Sequence, residues 1–140
     1  MEVQSDWNYR DYLKILPAIV VAAIIFYFSS IEFKFPAGPI TPPSIFETTT
    51  ILHICEFGLL AICVAFGFYP KVEARFLILF TLICAVFDEV HQYFVPNRYF
   101  DVYDILLDAI GVILGFLFYL VLFKLKERLK KEKKGLVIEE

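Results

Sequence analysis

Four long apolar stretches govern what this chain can become. They cover residues 15–31, 51–69, 76–95 and 105–123. As helices rising 1.5 Å per residue, each spans ~26–30 Å, the thickness of a bilayer's hydrocarbon core. A helix that is apolar on every face belongs in lipid or deep inside a large protein, and 140 residues are too few for the second case. Composition points the same way. Apolar residues make up 59% of the chain and charged residues 21%, against ~45–50% and ~25% in soluble domains. A disordered polymer, a disulfide-stapled secreted miniprotein and a multi-domain soluble enzyme are thereby excluded. Cys55, Cys63 and Cys84 lie within the apolar runs, odd in number and without CxxC or zinc spacing, and read as small buried hydrophobes. The expectation is an all-α integral membrane protein. Four transmembrane helices, at about 13–31, 51–69, 76–95 and 104–123, form a compact bundle within a 1–123 domain, and 124–140 forms a basic helical tail.

Basic residues set the expected orientation. Arg10 and Lys14 precede the first span, Lys71 and Arg75 lie between the second and third, and seven Lys/Arg residues fall within 124–134. Both termini, the 70–75 turn and the tail are therefore expected in the cytoplasm. The acidic n-region and the lack of an A-x-A-like site mark the first run as a retained helix rather than a secretory signal. The tail serves as a topology signal and as an arm for anionic lipid headgroups. Nucleic-acid binding is not expected. The proline-rich segment 36–43 cannot continue a helix and reads as an outer cap.

In this topology the ionisable residues converge at one depth beneath the outer surface: His53 and Glu56 on the second span, Asp88, Glu89, His91 and Gln92 on the third, Arg98 and Asp101 in the following loop, and Asp104 and Asp108 on the fourth. His53/Glu56, Asp88/His91 and Asp88/Gln92 share helix faces, and Asp101, Asp104 and Asp108 fall on one stripe. An ionised carboxylate in a bilayer costs at least ~2.5–3.5 kcal/mol, so each must face the bundle interior and find a partner. Structural partners are available: His53 with Glu56, Asp88 or Glu89 with Arg98, and Asp104 as an N-terminal helix cap. Gly111 and Gly115 form a GxxxG pair suited to close helix packing.

The run Asp88-Glu89-Val90-His91-Gln92-Tyr93-Phe94-Val95-Pro96-Asn97-Arg98, followed by Asp104, Asp108, Gly111 and Gly115 and preceded by His53-x-x-Glu56-Phe57, resembles the VanZ-like family of small bacterial membrane proteins. The resemblance covers about residues 50–115. It implies a multi-pass protein of the bacterial cytoplasmic (inner) membrane with a cell-envelope role, linked in some members to glycopeptide (teicoplanin) resistance. One departure is Asp108, where the family usually has Asn.

Two functions fit these residues best. In the first, a divalent cation held by Asp88, Glu89, Asp104 and Asp108 assists an enzyme on a lipid or lipid-linked phosphate precursor. Glu89, His53 and Asp88 act at the reacting centre, and Arg98, Gln92, Glu56 and His91 bind substrate. In the second, the same bowl holds a cell-wall precursor or glycopeptide headgroup without chemistry. An oligomeric transporter subunit ranks third, because the inner halves of the spans offer no polar path.

Overall fold

The computed structural model describes residues 7–32 and 48–138; the 36–43 segment lies outside the described residues. Five helices follow one another: α1 (Tyr9–Leu13), α2 (Leu16–Ser29), α3 (Thr48–Phe68), α4 (Ala74–Tyr93) and α5 (Val102–Ile138), with no strand among the described residues. The first apolar run becomes α2, and a short helix not expected from hydropathy, α1, precedes it. Pro17 has no N–H to give Leu13, and its ring opposes the preceding turn, so the chain breaks at Lys14–Ile15 and restarts with proline in the first turn of α2.

Three helical segments are long and apolar enough to cross a membrane: Tyr9–Ser29, Thr50–Phe68 and Val102–Lys134. The fourth expected span, α4, is 20 residues long, but Asp88, Glu89, His91 and Gln92 crowd its last two turns and lower its apolarity. Large apolar side chains such as Leu79, Phe80, Phe87, Leu117 and Phe118 point outward, a surface that acyl chains cover better than water. Cys63 and Cys84 are half-buried, whereas Cys55 is exposed on this outer surface, contrary to the expectation of burial; all three are free. The tail continues α5 without a break to Ile138.

Helix α3 is the central element and packs against α2, α4 and α5. Its buried Phe57, Leu60, Ala61, Val64 and Ala65 join Ile25, Leu77, Ala85, Val112 and Phe116 in one core. The chain runs up and down, so α3 and α5 lie parallel and touch directly. A Cβ on Gly111 would strike the backbone of Ile54, one on Gly115 would strike the backbone of Gly58, and one on Gly58 would lie 3.2 Å from the Gly111 carbonyl oxygen. Only glycine allows this approach. It brings the N-terminal turns of α3 and α5, with their His and Asp residues, face to face.

The other end of the bundle is basic. Asn8 caps α1 and forms a capping box with Asp11. The buried Asp11 accepts from Lys14 (2.9 Å) and from Lys71 (2.5 Å). Lys71 also lies over the Trp7 ring, 4.8 Å from its centroid. These contacts fasten α1 to the α3–α4 turn.

Candidate functional site

The last turns of α4 carry two adjacent carboxylates that face different neighbours. A buried stripe of Leu77, Thr81, Ala85, Asp88 and Gln92 turns α4 inward. Asp88 uses both oxygens: Ser29 Oγ of α2 donates to Oδ1 (2.6 Å) and Gln92 Nε2 donates to Oδ2 (2.8 Å). Gln92 Oε1 then accepts from Arg98 Nη1 at 3.1 Å. The same guanidinium reaches carbonyls at the end of α2, with Nη2 on Phe28 O (3.0 Å), which also accepts the Ile31 N–H (3.2 Å), and Nε on Ile31 O (3.4 Å) just past the helix. Burial lowers the pKa of Arg98 from the ordinary arginine value, opposed by the nearby carboxylates Asp88, Glu89, Glu56 and Asp104. The turn that aims Arg98 contains Asn97 at φ 61°, a left-handed position that asparagine tolerates, and Asn97 Nδ2 donates to Glu32 at 2.7 Å. Ser29, Asp88, Gln92 and Arg98 thus tie α4 and its loop to the end of α2. Gln92 bridges Arg98 and Asp88, and among the described residues no direct hydrogen bond joins the pair the sequence suggested.

Glu89 faces α5. It is fully buried; Oε2 accepts the Asp101 backbone N–H at 3.1 Å, while Oε1 has no hydrogen-bond partner. Across from it, His53 Nδ1 lies 3.0 Å from Oδ1 of Asp108, which is also fully buried and leaves Oδ2 without a partner. The second ring nitrogen, His53 Nε2, lies 3.7 Å from Asp104 Oδ2. One ligand atom from each of His53, Glu89 and Asp108 lies within 4.8 Å of the others.

The start of α5 explains how these groups are held. Asp101, not Asp104, caps the helix: its Oδ1 accepts the Tyr103 N–H at 2.8 Å. In a capping box the third helical residue, here Asp104, would return a bond to the Asp101 N–H. Glu89 takes that N–H instead, so Asp104 is left to face His53.

The expected cation set of Asp88, Glu89, Asp104 and Asp108 therefore differs from the group the structure brings together. Both oxygens of Asp88 are occupied by neutral donors, Asp104 stands behind His53, and His53 joins Glu89 and Asp108. His91 belongs to neither cluster. It stacks on Phe26 (4.4 Å between ring centroids), with Nε2 3.0 Å from Ser30 Oγ. Glu56 is half-buried and close enough to interact with the charges of His53, Asp88 and Arg98. Sequence reasoning passed over Ser29 and Ser30, the adjacent hydroxyls that end α2. Their position one turn before the loop was the only available signal.

A family model described as VanZ/LLP1 matches residues 7–124, which include every member of both clusters. No curated protein and no solved structure matches the chain. The all-helical fold, the apolar outer surface and a family match across the helices and the whole polar end agree: the chain belongs to the VanZ/LLP1 family.

Proposed function

We propose that this chain is a cation-assisted enzyme of the bacterial inner membrane that acts on a lipid or lipid-linked phosphate precursor of the envelope. In this reading α4 is the fourth span: its 20 residues cover ~30 Å, and its carboxylates point to α2 and α5 rather than outward. Lys14, Lys71, Arg75 and the basic tail gather at one end, which favours both termini in the cytoplasm. The His53–Glu89–Asp108 group then lies within the outer leaflet, with His53 half-buried and both carboxylates fully buried.

The observation that carries the proposal is the meeting of His53 and two fully buried carboxylates whose free oxygens lack donors. Buried polar atoms without partners are costly and call for an explanation such as a ligand. Such a group can activate water for attack at a phosphate or acyl centre. Glu89 and His53 act at the reacting centre, while Asp88, Gln92 and Arg98 hold α2, α4 and the loop in place around it. Teicoplanin resistance would follow from altered precursor supply.

The test is turnover of lipid-linked phosphates by the purified protein. Release of phosphate by the wild type, lost in Glu89→Gln and His53→Ala, supports the enzyme. Equal turnover in all three removes it. Stoichiometric capture of a precursor or glycopeptide without product replaces it with the binding reading.

A further inference from the structure

We infer that His53, Glu89 and Asp108 form a three-ligand site for a transition-series divalent cation of the Zn²⁺ class, with Asp104 as the positioning carboxylate behind the histidine. The inference deepens the function proposed above and rests on it for the site's role, but the binding itself needs no turnover.

The donor set comes first. One imidazole nitrogen with two carboxylates suits Zn²⁺, Mn²⁺ or Co²⁺, whereas Ca²⁺ and Mg²⁺ favour all-oxygen shells. Three protein ligands leave a position for water or substrate, as in catalytic zinc sites. Spacing comes next. Ligand atoms on ~2.1 Å bonds in a tetrahedron lie about 3.4 Å apart. His53 Nδ1 and Asp108 Oδ1 are already 3.0 Å apart, and the trio spans no more than 4.8 Å, so a small side-chain adjustment closes the shell.

The unsatisfied atoms give a separate argument. Glu89 Oε1 and Asp108 Oδ2 are buried without hydrogen-bond partners, and a bound cation would give these oxygens a partner. The surrounding bonds also fit. Metal-bound histidines usually give their second N–H to a carboxylate. With Nδ1 turned to the cation, Nε2 faces Asp104 at 3.7 Å. Glu89 is steadied through Oε2 by the Asp101 N–H, leaving its other oxygen for the cation.

Full-length protein in detergent, stripped of metal with EDTA, is titrated with Zn²⁺ against a chromophoric chelator, and with Co²⁺ by visible absorption. One equivalent should bind. Affinity should fall at least tenfold in His53→Ala, Glu89→Gln and Asp108→Asn, and by about 10–100-fold in Asp104→Asn, while Arg75→Ala, in an exposed pair with Glu73, binds as wild type does. No stoichiometric binding, unchanged affinity in Glu89→Gln and Asp108→Asn, or preference for Ca²⁺ or Mg²⁺ over Zn²⁺ overturns the site. Should the variants fail to fold, the wild type alone decides: its Tm must rise as Zn²⁺ is added, and a flat Tm overturns the site. Zn²⁺ binding without turnover keeps this site and removes the enzyme; turnover by a protein that binds no Zn²⁺ removes this site and leaves an enzyme that works without the cation.

Discussion

Asp88 and Glu89 are neighbours on one helix, at one depth, and live in opposite circumstances. A turn of 100° per residue sends the first toward α2 and the second toward α5. Asp88 is held at both oxygens by neutral donors, Ser29 and Gln92; Glu89 has one backbone donor and one orphaned oxygen. Two buried carboxylates side by side therefore need not share a role. A carboxylate whose valences are filled fastens helices together, and one left unfilled is available to a ligand.

The contrast can be broken by substitution. Glu89→Gln should reduce phosphate release more than 100-fold, or ~2.7 kcal/mol of barrier, with little change in Tm, read by paired turnover and thermal unfolding in detergent. Asp88→Ala should do the opposite. It strands two buried donors and should cost about 1–3 kcal/mol of stability, with a smaller loss of rate. If instead it abolished turnover at unchanged Tm, the two carboxylates would not differ as argued. Arg98→Ala removes the guanidinium bonds to Gln92 and to the carbonyls of Phe28 and Ile31, the first of which keeps its Ile31 N–H, and should cost about 1–2 kcal/mol, while Zn²⁺ affinity stays within a few-fold of wild type. The smallest effect is expected from Asp101→Ala. It removes the side-chain cap of α5 at about 0.5–2 kcal/mol but keeps the backbone N–H that Glu89 uses, so turnover should be largely retained.

Much of this arrangement was legible in the residues themselves. The apolar runs marked the helices, since in lipid backbone groups must pair within the segment, and i,i+4 spacing placed Asp88 with Gln92. Partners across helices were harder to read, because they depend on rotation and approach that one strand of sequence does not encode. Charge alone pairs Arg98 with a carboxylate, yet carbonyls at the helix end compete for the same donors. Asp101 and Asp104 both offer a cap to α5, and Glu89, from another helix, decides between them. His91 follows Asp88 by three residues and so shares its α2-facing side, leaving Glu89 to meet His53 without it. The turn at Lys14–Ile15 is signalled by Pro17, but α1 lies before the apolar run, where hydropathy marks no helix.

The glycine seam between α3 and α5 has a consequence for how the protein lives in different membranes. Bilayers that thin or thicken make single helices lean to match them. Two helices locked main chain to main chain at Gly58, Gly111 and Gly115 must lean as one body. His53 rides on the first and Asp108 on the second, so their spacing should survive shifts in lipid length that rearrange α2 and α4 around them.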